Sequence, residues 1–493
     1  MYLGIDVGTQ SVKALIYDAQ SREVAAVASA PLQLISEADG TREQEAQWWL
    51  EALSACLSDI DPALRDQVQA VGVSAQQHGF VPLGPDGEVL APVKLWCDTA
   101  TTLECAEITA SLGGVEACIA QMGNPVLPGY TAPKILWLKK HRAESYAKLA
   151  TILLPHDYIN YYLTGELAME YGDASGTGLM NVRERSWHAA ALKAIDDQRD
   201  LGEALPVLLD AGEQMGCLRS TSAETLGLPP GIPVATGGGD NMMAAIGTGN
   251  VSPGKLTVSL GTSGTLYAFS DEPVIDPAGN IAAFCSSTGG WLPLLCTMNC
   301  TVATEVSRQL FGLSLDALQA ATESVPPGSG GVLTLPFFNG ERTPNLPNGK
   351  ACILGLDEDN YHRDNLLRSA MESAVYGLRT GLDGLSDLGL PMSHVRLTGG
   401  GAQSAVWRQM VADVLQLPVT VQTVDEGAAL GAALQALWMH SGDGAKSLPA
   451  LLDEHLAVDE ARSCEPRADV AALYEEHYAN YVRHVEVIGA LYP

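Results

Sequence analysis

Positive charge is scarce in this chain: 28 lysines and arginines stand against 58 aspartates and glutamates, a formal net charge of -30 over 493 residues. No run of like charge stands out, so the acidic excess reads as solvated surface, and neither nucleic acid nor an anionic membrane is an expected partner. An anionic ligand must therefore be held by backbone N–H groups, a bound cation or a few placed side chains. Any uncharged apolar run of membrane-spanning length is also lacking. The chain opens Met1-Tyr2-Leu3-Gly4-Ile5-Asp6, without the basic start and apolar stretch of an export signal, so a cytoplasmic protein is expected. The 10 cysteines form no metal-ligand framework: Cys296 and Cys300 have roughly ligand spacing, but no second Cys/His group completes a site. Reduced thiols are the expectation.

What is present is an α/β pattern. Strand-like apolar runs alternate with amphipathic helical stretches throughout, over a length that calls for two domains. Two segments repeat one another about 250 residues apart. The first, Tyr2 to Tyr17, contains Gly4-Ile5-Asp6-Val7-Gly8-Thr9-Gln10, and the second, Leu256 to Phe269, contains Val258-Ser259-Leu260-Gly261-Thr262-Ser263-Gly264. Each reads as strand, Gly-Thr turn, strand. Two related lobes follow, 1–233 and 234–493, divided at the Pro/Gly-rich Pro229-Pro230-Gly231-Ile232-Pro233.

The turns carry the first chemistry. Glycine lets the backbone approach a ligand closely, and successive N–H groups make an anion-binding concavity. Gly8, Thr9 and Gln10 in one turn, with Gly261 and Thr262 in the other, could hold a polyphosphate without many lysines. Asp6 corresponds to Ser259, so only the first copy offers a carboxylate for Mg²⁺. Taken singly, either hairpin is equally a plain structural turn. At Thr236-Gly237-Gly238-Gly239-Asp240-Asn241 a strand runs through glycines and delivers Asp240 at the start of a small-residue helix. Asp240 is either a general base with room for a substrate or a helix cap. Thr398-Gly399-Gly400-Gly401-Ala402 is another strand–turn–helix junction, where a flat base or ribose can lie against bare backbone. Gly427-Ala428-Ala429-Leu430-Gly431-Ala432-Ala433 reads as a helix built for close packing. Gly249 to Lys255 imitates a phosphate-binding P-loop, but Leu256 stands where the metal-binding Ser/Thr belongs and a strand follows instead of a helix. Gln77-His78 after a strand offers donors and acceptors suited to hydroxyls, although a lone histidine is more often structural.

In ordered succession these motifs resemble the FGGY family of carbohydrate kinases, most closely its branch acting on D-xylulose. The resemblance also includes Leu95-Trp96-Cys97-Asp98, Pro128 to Lys134, Leu154-Pro155-His156-Asp157-Tyr158, Asp173 to Thr177 and Gly340-Glu341-Arg342-Thr343-Pro344. It implies two actin-like, ribonuclease-H-type lobes with ATP, Mg²⁺ and sugar in the cleft between them. It implies that Asp240 is the catalytic base and Asp6 the magnesium carboxylate. Gln77, His78, Asp240 and Asn241 would contact the sugar. Gly8, Thr9, Gln10, Gly261 and Thr262 would hold phosphates, and Gly400, Gly401 and Ala402 would flank the adenosine. Glu341-Arg342-Thr343-Pro344 is expected to be mainly structural. The implied reaction is phosphorylation of a ketopentose, D-xylulose to D-xylulose 5-phosphate, with small sugar and ATP as ligands and a homodimer as a further expected partner. Two departures stand out: the loop after Asp98 lacks the arginine many members carry, and Gln403 replaces a basic residue. Kinases of ribulose, fuculose, gluconate or erythritol stay open, as does, more remotely, an actin-like ATPase without sugar.

Overall fold

The computed structural model describes residues 1–442 and 447–492. Its first sheet is built from β1 (Tyr2–Val7), β2 (Ser11–Asp18), β3 (Glu23–Pro31), β4 (Ala70–Ala75), β5 (Gln214–Cys217), β6 (Pro233–Ala235) and β7 (Gly238–Gly239). The order is β5-β6-β4-β1-β2-β3, with β7 pairing on β4 as well. Central β1 and β4 are apolar on both faces and almost wholly buried, as expected for strands covered by helices. The edge strand β3 alternates half-buried and exposed residues, which suits one wet face.

The second sheet repeats the plan. It contains β8 (Lys255–Leu260), β9 (Gly264–Ala268), β10 (Ala282–Cys285), β11 (Trp291–Thr297), β12 (His394–Thr398) and β13 (Val419–Thr420), in the order β10-β11-β9-β8-β12-β13. In each lobe the hairpin's first strand pairs antiparallel with its successor and parallel with a later strand. Asp6 thus lies opposite Lys13 and Ser74, while Ser259 lies opposite Thr265 and Thr398. The expected duplication and the two actin-like lobes are both present.

The expected division at residue 233 cuts through the first sheet, because β6 and β7 both pair with β4. The Pro/Gly-rich stretch is only the approach to β6. Asp240, expected in the second lobe, is therefore delivered by the first.

Helices pack on both sheets. Those that shape the site are α1 (Ala46–Ser58), α2 (Thr131–His141), α3 (Pro155–Thr164), α4 (Asp240–Gly247), α5 (Thr301–Leu310), α6 (Arg363–Asp387), α7 (Ala405–Leu415) and α8 (Gly427–Ser441). Late in sequence, α8 nevertheless lies against β1, β4 and α4. Its small residues permit main chain to meet main chain. A Cβ on Gly4 would sit 1.9 Å from the Ala429 carbonyl oxygen, one on Gly72 2.0 Å from that of Ala432, and one on Gly431 1.8 Å from that of Met243. The lobes thus join through a glycine-alanine seam, flanked by the apolar side chains of Tyr17, Met243, Tyr267, Leu430 and Leu434. All 10 cysteines are free, and among the described residues no helix is long and apolar enough to cross a membrane.

Candidate active site

Two carboxylates face the cleft from either side of β4. Asp6 ends β1, opposite Ser74, whose hydroxyl donates to Oδ1 at 2.7 Å. Asp240 follows β7 on the other flank, so their main chains lie two strand spacings apart, about 10 Å. Gly237 adopts φ +73°, and a Cβ there would meet the Val73 carbonyl at 2.4 Å. A Cβ on Gly238 would meet the Ser287 hydroxyl at 2.5 Å, and one on Gly239 the Gln77 side chain at 2.6 Å. The glycine triplet is therefore a packing requirement, letting the main chain settle beside β4 and turn Asp240 into the cleft.

Asp240 is the first residue of α4, with Gly239 in the cap position. Its Oδ1 accepts from the Asn241 backbone N–H at 2.8 Å and from Asn241 Nδ2 at 3.1 Å. Burial, and then the negative charge of Asp6, push its pKa up to about 7. A carboxylate titrating there is matched to taking a proton near neutrality. Asn241 Nδ2 also donates to Gln77 Oε1 at 2.8 Å, and Gln77 Nε2 points at Met242 Sδ at 3.2 Å. The structure thus brings Gln77, Asn241 and Asp240 into one chain of contacts.

His78 stands next to them in a left-handed conformation, φ +61°. That strain is offset by three restraints from the first lobe. Its N–H donates to Asp173 Oδ1 at 3.2 Å, while its carbonyl accepts from Lys134 Nζ at 2.7 Å and Thr131 Oγ1 at 3.2 Å. Tyr130 and Phe284 flank the imidazole at centroid distances of 5.1 and 5.3 Å. Lys134 is fully enclosed, and burial lowers its pKa to about 7 against the pull of Asp98.

The two Gly-Thr hairpins are held differently. In the first, Gly8 N–H closes the turn onto the Ser11 carbonyl at 3.0 Å. The Thr9 hydroxyl donates to Gln76 Oε1 and accepts from Trp96 Nε1, both at 3.0 Å, and the Thr9 carbonyl accepts from Gln44 Nε2 at 2.8 Å. The Thr9 hydroxyl thus donates its proton inside the protein, leaving backbone N–H groups for a phosphate. In the second hairpin the carbonyls of Gly261 and Thr262 accept from Thr301 and Cys300 N–H, at 3.1 and 3.0 Å, at the start of α5. Among the described residues the N–H groups of Thr9, Gln10, Thr262 and Ser263 enter none of these hydrogen bonds. They fit an anion-binding concavity.

At the third glycine turn, Gly399 has φ +86° and packs on Leu260, while Gly401 and Ala402 are buried beside Trp407. Gly400 alone is exposed, with nothing within 4 Å of a Cβ position, so it is the surface a flat ligand can lie on. Gln403 is tied to Asp425 at 2.8 Å and to the Arg462 guanidinium at 3.1 Å, so Arg462 supplies positive charge in this neighbourhood. Asp98 accepts from Lys94 at 3.0 Å and Arg42 N–H at 2.8 Å, which accounts for its charge without an arginine in the following loop.

Mg²⁺ is compatible with this donor set. One oxygen of Asp6 is taken by Ser74, and the residue stays partly open beside the first hairpin. A lone carboxylate next to phosphates is the usual protein share of a magnesium site. Lys13 pairs with Glu426 at the start of α8, linking the lobes next to Asp6.

Arg342 is the residue whose position was not anticipated. Glu341 anchors its loop, accepting from Met298 N–H at 2.6 Å, Arg342 N–H at 2.7 Å and Asn299 Nδ2 at 3.1 Å. From this second-lobe loop the exposed Arg342 guanidinium reaches 5.9 Å from the Trp96 ring of the first lobe, and its charge is felt at His78 and Tyr130. The sequence signal was the motif itself, which gives no direction to the side chain.

Residues 1–247 match the N-terminal domain of the FGGY family of carbohydrate kinases, and residues 256–440 match its C-terminal domain. A xylulose kinase of Haemophilus influenzae is 42% identical over 492 residues, covering 98% of this chain and 99% of that protein. A solved structure described as a xyloylose kinase from Brucella ovis superposes with TM-score 0.91 at 30% identity, covering 99% of each chain. A gluconate kinase from Lactobacillus acidophilus shares the fold, with TM-score 0.90, 22% identity and coverage of 99% and 98%. On these matches, which span both lobes, the chain belongs to the FGGY family of carbohydrate kinases.

Proposed function

We propose that the protein is an ATP-dependent D-xylulose kinase, forming D-xylulose 5-phosphate in the cytoplasmic breakdown of xylose. The observation that carries the chemistry is Asp240, poised by burial and by Asp6 near neutrality and joined through Asn241 to Gln77 beside His78. The choice of sugar is supported by the relatives: xylulose kinases of Haemophilus influenzae and Escherichia coli align with 98% and 88% of this chain.

In this reading Asp240 takes the proton of the sugar's 5-hydroxyl as its oxygen attacks the γ-phosphorus of ATP, and the bond from that phosphorus to the β,γ-bridging oxygen breaks to release ADP. Gln77, His78 and Asn241 orient the sugar, and the hairpin N–H groups around Thr9 and Thr262 stabilise charge on the phosphates. Magnesium held by Asp6 and the phosphates would neutralise part of that charge. Gly400 gives the adenosine a bare surface. The lobes divide between α4 and β8, and closing the cleft excludes water and limits idle ATP hydrolysis. The test is a panel of D-xylulose, ribulose, fuculose, gluconate, erythritol and glycerol in a coupled ADP assay. The highest kcat/KM is expected for D-xylulose. A higher value for any other member overturns the substrate, and ATP turnover indifferent to every sugar overturns the kinase reading.

A further inference from the structure

Behind His78 lies a row of buried ionisable groups that the proposed mechanism does not use. His156, on the first turn of α3, is fully buried between two carboxylates. Its Nδ1 is 3.2 Å from Asp173 Oδ2, and its Nε2 is 2.8 Å from Asp157 Oδ1, close but out of line for a hydrogen bond. Asp157 Oδ2 accepts from Leu154 N–H at 2.9 Å. The other oxygen of Asp173 takes the His78 N–H and lies 3.3 Å from His78 Nδ1, a contact that is also out of line for a hydrogen bond. Asp173 is fixed in turn, its own N–H donating to Glu170 Oε1 at 2.6 Å. The order from the interior to the cleft is Asp157, His156, Asp173, His78.

We infer that His156 is a positioning residue for sugar recognition: it carries the row's positive charge, so that His78 stays neutral with its proton on Nδ1 and its Nε2 open as an acceptor for a sugar hydroxyl. The inference rests on reading His78 as a sugar contact.

The imidazole of His78 has little freedom to move. A Cβ on Gly176 would fall 1.9 Å from its Cε1, and Tyr130 and Phe284 close its other sides. What remains variable is its proton. Buried aspartates at 157 and 173 demand a cation, and the proton can sit on His156, which touches both, or on His78, which touches one. Burial opposes charge on each ring. At His156 the two carboxylates outweigh it and the pKa rises well above the ordinary histidine value. At His78 burial prevails over Asp173, with Lys134 and Arg342 adding repulsion, and the pKa falls. Asp173 is correspondingly held at about 2: burial opposes its ionisation, but the hydrogen bonds from His156 and His78 prevail. Burial raises the pKa of Asp157 and of Glu170, which faces His156, and the charge of His156 pulls both the other way; Tyr130 faces His78. With Nδ1 turned to a carboxylate, the neutral ring presents a lone pair at Nε2. An imidazolium there would be a donor only.

Replacing His156 by Gln removes the fixed charge and leaves two carboxylates, so the displaced proton moves to His78. We would measure the dissociation constant of D-xylulose without ATP, by calorimetry, between about pH 6 and 9. The wild type sets the baseline, which carries the titrations of Asp240 and Lys134 near 7, and each variant is read as its ratio to wild type at the same pH. His156→Gln should weaken about tenfold for each pH unit lowered below the new His78 pKa. His156→Gln/Asp157→Asn has the wild-type net charge in this row and should return the ratio to a value independent of pH. Weakening that is uniform across pH, or a double variant worse than the single one, overturns the inference, because lost packing predicts both. If His156→Gln does not fold, ¹⁵N-histidine spectra of the wild type, assigned with His78→Gln, provide the readout. A doubly protonated imidazole that persists in His78→Gln is expected; a neutral His156 or a doubly protonated His78 overturns the inference. Failure of the substrate reading is distinguishable: the wild type then binds another sugar of the panel, on which the same profiles are measured.

Discussion

The two hairpins share a topology and differ in what fixes them. The first turn is gripped from the side by Gln44, Gln76 and Trp96, and Gln76 leads directly into Gln77 and His78. The second is gripped from behind, by main chain at the start of α5. Gln44 also accepts from Trp49 of α1 at 2.9 Å and from Gln76 at 2.9 Å, so the first turn belongs to a buried amide network. The first hairpin, Gln77-His78 and Asp240 thus belong to one lobe. The second hairpin and the Gly400 turn belong to the other. Acidic chemistry is divided the same way: Asp6, Asp173 and Asp240 come from the first lobe, and the corresponding second-lobe position is Ser259.

The sharpest way to break this division is at the base. Asp240→Asn should lower kcat about 10³-fold, within the range for a lost general base, while calorimetry finds ATP affinity near that of the wild type. A turnover above about one tenth of wild type would remove Asp240 from that role. The next largest effect is expected from Asp6→Ser, which makes the first hairpin chemically like the second. Turnover should drop about 10²-fold, with half-saturation by Mg²⁺ moving to higher concentration in a metal titration. Unchanged metal dependence would mean that the two copies are equivalent in this respect.

The smallest effect sharpens the link between the two carboxylates. Only ionised Asp240 can accept a proton, so kcat/KM should fall about tenfold per pH unit below about 7. In Asp6→Ser the neighbouring negative charge is gone, Asp240 ionises more readily, and the acidic limb should move to lower pH. The pH–rate profile of the residual activity checks this. A limb that stays in place would assign the whole shift to burial.

Most of the fold was legible because the chain states it twice. The Gly-Thr turns between apolar strands identify each lobe, and Asp6 against Ser259 marks which lobe is charged. The boundary was not legible, because Pro229 to Pro233 has loop composition yet leads into a central strand, and β7 consists of two glycines without strand character. Asp240, Asn241, Gln77 and His78 were readable by their company. The direction of the Thr9 hydroxyl was not legible, since its partners Gln76 and Trp96 are remote in sequence and nothing local says which way it turns. Arg342 and His156 were visible only as parts of motifs. Direction and charge come from the folded neighbourhood, from Trp96 across the cleft in one case and from two buried aspartates in the other.

The seam where α8 meets β1 and β4 has a mechanical consequence. Because carbonyls there lie where the side chains of Gly4, Gly72 and Gly431 would be, the contact is main chain against main chain, with no side chain between to yield. A methyl group at any of the three positions would push the helix off its neighbours. Gln77 and His78 take no part in that contact, so substitutions there leave the seam as it is. The seam tolerates the least change of any part of the molecule described above, and a designer would leave its glycines alone.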